Sequence, residues 1–407
     1  MRPLFVRLRR WGKVALAVSL ALPITLGTPV HPASAQKQVD RVKAWGRNSE
    51  GQLGDATTTD RHNPTTVAGL TAARVTSLVA GFNHNLALLS NGTVEAWGSN
   101  RFGQLGDVTT TNHPAPSTVR LSGVAAVAAG ESHSLALGSN GLVAAWGLNS
   151  SGQLGDGTTR NRSTPVTVTG LTRVTAVAAG RFHSLALLSD GTVKAWGANR
   201  VGQLGDGTTF VSRTPVTVKG LTGVQAIAAD GGHSLALLSD GTVKAWGWNR
   251  RGQLGDGTNI NRSTPVTVTR LTRVTAIDAG GEHSLALLSD GSVKAWGRNR
   301  FGQLGDGSRT DRSTPVTVTG LGIAGLTDVL SIAAGSAHNL AQLSDGTVKS
   351  WGSNSAGQLG LGITINHHPL PFFAVPTTVV TGLDIVHLIA AGGEHSLAAF
   401  LIGSGPL

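Results

Sequence analysis

The segment VTAVAAGRFHSLALLSDGTVKAWGANRVGQLGDGTTFVSRTPVTV, Val174 to Val218, contains one complete structural unit. Its opening run, Val174 to Gly180, is β-branched and small. Two residues later His183-Ser-Leu-Ala-Leu-Leu188 is apolar on both faces, and both runs fit strands buried on two sides. Asp190-Gly191 between apolar runs is a strong hairpin signal, for which a type I′ turn, with positive φ at both central residues, is expected. Thr192 to Gly197 then reads as a third strand. A loop of about 17 residues carrying Gly202-Gln-Leu-Gly205 leads to a short fourth strand, Pro215 to Val218, whose proline suits an outer edge. No apolar stripe at helical spacing occurs in the unit.

The unit recurs along the chain. Trp-Gly stands at Trp45, Trp97, Trp146, Trp196, Trp246, Trp296 and Trp351, with central intervals of 49 or 50 residues. Gly-Gln-Leu-Gly follows each, from Gly51, Gly103, Gly152, Gly202, Gly252, Gly302 and Gly357. His84, His133, His183, His233, His283 and His338 precede the last six, and His395 has no Trp-Gly after it. A period near 50 residues means units that cannot bury their apolar faces alone. Four antiparallel strands repeated seven times give an all-β fold, a seven-bladed β-propeller. The Ala-rich first strands should converge on the axis, and the tryptophans should fill the outer gaps where blades splay. The repeat begins with a third and fourth strand (Val42 to Gly46, and near Pro64 to Val67) and ends with a first and second (around Ile385 to Gly392, and His395 to Phe400). Two N-terminal and two C-terminal strands should therefore share the seventh blade and close the ring, removing exposed sheet edges.

Residues 1–35 lie outside the repeat and read as an export signal. Arg2, Arg7, Arg9, Arg10 and Lys13 lead an apolar stretch, Val14 to Leu26, followed by Ala33-Ser34-Ala35. The apolar stretch is too short to span a bilayer, so no stable membrane anchor is expected. Arg9-Arg10 is compatible with a twin-arginine route, and the general secretory route fits equally. The protein is expected to be secreted, at the cell surface or periplasmic, with residues 36–407 forming one propeller domain. The chain contains no cysteine, which excludes disulfides and thiolate chemistry. Without the five basic residues of the leader, 28 Lys and Arg face 22 Asp and Glu, a modest excess that favours acidic partners.

Val-x-Ala-Trp-Gly, Gly-Gln-Leu-Gly, the later proline, Ala-Ala-Gly and His-Ser-Leu-Ala-Leu together resemble the regulator of chromosome condensation repeat family over about residues 40–400. The resemblance implies a seven-bladed propeller. Its founding nuclear member is a guanine-nucleotide exchange factor that also binds chromatin, and its exported bacterial relatives include a β-lactamase-inhibitory protein. The export signal points to the second kind, while loop specificity does not carry over.

Seven histidines at equivalent blade positions are spread round a ring, so a structural role bonding a neighbouring turn or blade is expected, with no metal and no cofactor. The repeated Asp55, Asp107, Asp156, Asp206, Asp256 and Asp306, with Arg162, Arg213, Arg262 and Arg312, read as loop-stabilising pairs. Gly-Gln-Leu-Gly lacks the Lys of a phosphate loop and is a turn. Function should lie where the repeat breaks. The connections between strands one and two and between strands three and four emerge at one end and vary: they carry Phe82, Arg101, Phe102, Arg181, Phe182, Arg200, Trp248, Arg250, Arg251, Arg298, Arg300 and Phe301. Arg and aromatic residues are the types enriched at binding hot spots. The alternative is that these Arg are solvated or paired with the repeated Asp while the Phe prop the loops. The last repeats carry insertions at Gly322 to Gly325 and at His367 to Phe373; the second could lean over one rim, and the adjacent His367-His368 are a weak metal signal. No catalytic residue is assigned. The expected protein is a monomeric, non-catalytic binding or scaffold module for a protein or acidic partner, with nucleic acid disfavoured. Alternatives are a propeller lyase or hydrolase, for which Glu131/His133, Glu282/His283 and Glu394/His395 are the nearest acid–base pairs, and nucleotide exchange by family analogy.

Overall fold

The computed structural model describes residues 40–70, 73–320, 325–362, 364–365, 368–369, 372–379, 383 and 385–401. The proposed leader, residues 322–324 of the first insertion and His367, Leu370 and Pro371 of the second lie outside them. The described elements are all strands: seven four-stranded antiparallel sheets and one two-stranded ribbon, Thr364–Ile365 with His368–Pro369. In the blade read above, Val174–Ala179, His183–Leu188, Val193–Gly197 and Ser212–Thr217 pair in chain order. The closing blade runs Arg61–Thr66, Asp40–Gly46, His395–Leu401, Val386–Ala391, so both ends of the repeat meet in one sheet, as expected. Asp40 pairs with Leu401 and Gly46 with His395 along the seam.

Apolar burial holds the ring together between blades. Seven buried clusters each span two neighbouring sheets, including one across the closing blade and the next. Trp196 is fully buried against Val168 and Leu171 of the preceding blade. Its indole Nε1 donates to the carbonyl of Gln153 in that blade's Gly-Gln-Leu-Gly turn at 2.8 Å, and the other six Trp make the equivalent bond. The glycine after Trp has its own reason: at Gly197 (φ +105°) a Cβ would lie 2.5 Å from the Phe182 carbonyl oxygen. Ala128, Ala178, Ala228, Ala333 and Ala390 of the first strands line a central channel of about 1250 Å³, with Val79 and Asp278 at the equivalent positions of the other two blades.

Two local expectations need correction. In each Asn-Gly or Asp-Gly hairpin only the Gly has positive φ: Gly92, Gly141, Gly191, Gly241, Gly291 and Gly346. Gly191 N donates to Leu188 O and Leu188 N to Thr192 O, both at 2.9 Å, which defines a three-residue loop closed by a glycine bulge and not a type I′ turn. Asp190 earns its place through its carboxylate, which accepts from Thr192 N at 2.9 Å. The fourth strand also starts earlier than expected, at Ser212, with Pro215 inside it. Its pairing shifts between Gly197–Ser212 and Ala195–Val216, and the proline, which has no N–H, occupies that irregular stretch.

Candidate functional site

A belt of polar bonds lies directly beneath the variable loops. His133 Nε2 meets Ser184 Oγ of the next blade at 2.9 Å, and that hydroxyl donates to the Gln153 carbonyl at 2.8 Å. Because the serine proton is committed to the carbonyl, the imidazole carries its own proton on Nε2. The pattern passes from blade to blade through His84, His183, His233 and His338 to Ser134, Ser234, Ser284 and Ser396. Asn339 and Asn85 replace the serine as acceptors for His283 and His395, and the last bond closes the circle. Burial pushes all seven imidazoles down to about 3 or 4, so they are neutral. These bonds to the neighbouring blade assign the histidines to the scaffold.

Above the belt, the two variable connections of each blade are tied together. Ala198 N donates to Phe182 O, Trp248 N to Gly232 O and Arg298 N to Glu282 O, at 2.8 to 2.9 Å. The long connection is itself organised round a buried Asn. Asn149 Oδ1 accepts from Leu154 N at 2.9 Å while its Nδ2 donates to Asp156 and to the Thr158 and Arg160 carbonyls. An Asn stands three residues after every repeated Trp, a periodicity that the sequence reading passed over. The loop end is thus a rigid platform.

The repeated pairs behave as expected, with one exception. Arg162, Arg262 and Arg312 bond Asp156, Asp256 and Asp306 at 2.7 to 3.0 Å. Burial opposes ionisation of Asp156, but bonds from Thr158 and Arg162 together hold its carboxyl below the ordinary value. Arg213 makes no such pair with Asp206. Ser212 occupies the register position opposite Gly197 that Arg162 holds opposite Gly147, so Arg213 is displaced by one residue and stacks under Gly152 instead.

The twelve candidate binding residues do not form one patch. Phe82, Arg181, Phe182, Trp248 and Arg298 stand at the mouth of the channel. Phe82, 42% exposed, is shared with Arg101 and Phe102 in a cleft of about 770 Å³. Arg251, Arg298 and Arg300 line another of about 400 Å³. Arg200 and Arg250 are exposed outside all three. Phe301 supports Arg298 and Arg300, whose guanidinium carbons lie 5.9 and 5.7 Å from its ring centre. The face is also less basic than its sequence suggests. Arg181 pairs with Glu131, Arg47 with Glu394, Arg298 with Glu282 at 2.7 Å, and Arg251 with Asp311 at 3.5 Å. Neither alternative weighed above anticipated this, because the partners come mainly from variable loops and not from the repeated Asp. The same pairs occupy Glu131, Glu282 and Glu394, while His133, His283 and His395 are sealed in the belt, so the three acid–base pairs are not assembled.

Other features escaped the sequence reading although the repeat displays them as departures. Asp230 stands where Gly81, Gly130, Gly180, Gly280, Gly335 and Gly392 occur in the other blades, and Asp278 replaces a channel alanine. At Gly180 a Cβ would lie 2.2 Å from Cε1 of His183. Blade four avoids this clash by extending its first strand to Asp230, which pairs with His233 across Gly231-Gly232. Both carboxylates are half-buried at the channel wall. Burial raises Asp230 to about 7, reinforced by Asp278 and Glu131 and opposed by the Gly231 N–H and Arg181; burial raises Asp278 to about 6. Phe210 and Ile260, at equivalent loop positions of adjacent blades, are 79% and 62% exposed.

Comparison with known proteins places this geometry. The RCC1-like domain profile matches residues 31–286, and RCC1 repeat profiles match 274–303, 329–358, 290–342 and 345–399. The Danio rerio RCC2 homolog is 40% identical over 81 residues, 20% of this chain and 16% of that protein. Alsin of Rattus norvegicus is 38% identical over 103 residues, 24% of this chain and 6% of that protein. Among solved structures, Prp20p of Saccharomyces cerevisiae, described with its binding to Gsp1p and histones, superposes with a TM-score of 0.77 at 25% identity, covering 91% of this chain and 93% of that one. Human WBSCR16 gives 0.77 at 25% identity, covering 89% and 98%. With more than half of its length matched by one profile, the chain belongs to the RCC1-like domain family of seven-bladed propellers.

Proposed function

We propose that this protein is an exported, non-catalytic binding module that engages a protein partner through the loop end of the propeller. The observation that carries the reading is a uniform, hydrogen-bonded scaffold whose departures from repetition gather at one end, with Phe82, Phe102, Phe182 and Trp248 accessible between charged neighbours. Preordered loops reduce the entropy lost on binding, and aromatic anchors supply area with few rotors. A protein partner accords with the binding that describes Prp20p. The leader-like residues 1–35 support export. The resemblance also implies nucleotide exchange on a small GTPase, which the leader argues against; accelerated nucleotide release by the purified protein would establish that reading instead. The main test is affinity capture from the native extracellular milieu. Replacing Phe82, Phe102 and Trp248 by Ala should abolish capture while the melting curve stays cooperative, and undiminished capture would remove the loop end from consideration.

A further inference from the structure

The cleft of about 400 Å³ on the loop end is lined by Arg251, Arg298, Arg300, Arg309 and Asp311. It bridges blades, since Arg251 comes from the fourth blade and the other four from the fifth. Four guanidiniums converge there. Two carboxylates answer them: Glu282 bonds Arg298 at 2.7 Å and lies 3.9 Å from Arg251, and Asp311 lies 3.5 Å from Arg251. Two positive charges are left over, and they reside on Arg300 and Arg309, neither of which has a carboxylate within ion-pair distance among the described residues.

These two side chains are nevertheless held. Arg309 Nε donates to the Arg300 carbonyl at 2.9 Å, and its guanidinium lies 4.5 Å from the centre of the Phe372 ring. Arg300 lies over Phe301, which it shares with Arg298. Stacking on a ring occupies the flat face of a guanidinium and leaves edge N–H donors for a ligand. Arg309 is also the departure from the repeat: thirteen residues after Trp, the other blades have Thr58, Thr110, Thr159, Thr209, Asn259 and Thr364. Gathering like charges round a concavity and fixing them on rings is electrostatically unfavourable, and a bound anion would reverse the sign of that interaction.

We propose that this cleft is a binding site for a tetrahedral dianion, the phosphate monoester group of a ligand. The excess of two positive charges matches a dianion, and parallel N–H donors match its oxygens, the geometry in which charge-assisted bonds are strongest. The volume, toward the small end of ligand sites, admits the ester group with part of the molecule that carries it. The proposal rests on the loop end being the functional face, and its test separates from that of the whole-face reading.

The test is calorimetric titration of the purified protein at low ionic strength with inorganic phosphate, inorganic sulfate, and a phosphoserine peptide beside its unphosphorylated form. Saturable one-to-one binding of phosphate or sulfate is expected, weakened at least tenfold in the Arg300→Ala/Arg309→Ala variant. Arg200→Ala/Arg250→Ala, which removes the same charge from exposed positions outside the cleft, should weaken binding less than twofold. Equal losses in both variants would mean a diffuse field and overturn the proposal, as would no saturable binding by the unaltered protein. Unchanged melting curves confirm that the variants are folded. A phosphopeptide binding more tightly than free phosphate identifies a modified side chain as the source; equal affinity identifies the phosphate group alone as what the cleft reads, on a small-molecule ester. Partner capture by an unaltered protein that shows no saturable phosphate binding sinks this proposal alone, and phosphate binding without capture sinks the protein-partner reading alone.

Discussion

Replacing Ser184 by Ala probes the interblade belt at one bond. The hydroxyl is fully buried, accepts from His133 Nε2 at 2.9 Å and donates to Gln153 O at 2.8 Å. Its loss leaves the Gln153 carbonyl satisfied, because Trp196 Nε1 still donates to it at 2.8 Å. The His133 N–H, in contrast, is stranded in a fully buried site where Nδ1 already lacks a partner. An orphaned buried donor costs about 1–3 kcal/mol, so S184A should destabilise the protein by about 2 kcal/mol. Trp196→Phe removes the other donor and by the same logic leaves the carbonyl satisfied by Ser184. Only the double variant bares the Gln153 oxygen, so its cost should exceed the sum of the single costs by about 1 kcal/mol or more. Urea denaturation of the four proteins, accepted only where the slope is unchanged, measures both quantities. A single-variant cost below about 0.5 kcal/mol, or strict additivity, would refute a shared acceptor as the link between blades.

Three further outcomes follow from the same geometry. Gly180→Ala places a methyl against His183 of its own blade and should destabilise by about 1–3 kcal/mol in thermal or urea melts, whereas Ala at Gly220, where a Cβ meets nothing within 4 Å, suffers backbone strain without a clash and should cost less. Asp230 has a folded-state pKa above its unfolded value, so its ionisation penalises the fold as pH rises from about 4 through about 7; D230N, which keeps the oxygen that accepts from Gly231 N, should add about 1–2 kcal/mol at pH 8 and little at pH 4. The seven imidazoles act in the opposite sense. Their folded values, near 3 or 4, lie below the unfolded 6.5, so their stabilisation is complete above pH 6.5 and is lost as pH falls, and a pH titration of denaturation midpoints should show a steep decline below about 6. Unchanged midpoints between pH 7 and pH 4.5 would contradict neutral burial.

The architecture was legible because repetition multiplies weak signals. Any one Trp-Gly could belong to many folds, but seven at intervals of 49 to 55 residues, with His395 lacking a Trp and Trp45 lacking a His, determine both the blade count and the closure. Turn chemistry was less legible, since Asp-Gly serves both a type I′ turn and a glycine bulge and local sequence does not separate them. The loop face was legible in its location and not in its charge. Arg181 and Arg298 read as free cations along the chain, yet Arg181 meets Glu131 of the neighbouring blade, a proximity created by the ring, and Arg298 meets Glu282 of its own blade, where strand pairing brings two connections together. Asp230 and Arg309 were visible as departures from the repeat, and their meaning required knowing that one faces a channel and the other a cleft.

Closure by strands from both ends also sets an order of events. Asp40–Gly46 is made first, yet its inner neighbour His395–Leu401 is made last. Six blades can complete themselves as the chain emerges, while the opening strands wait for a partner hundreds of residues away. The seam is therefore the last part to form, and it brings Asp40 beside Leu401. A circular permutant that joins these ends through a short linker and opens between two other blades would make every blade from contiguous sequence, and it should reach the same ring without that wait.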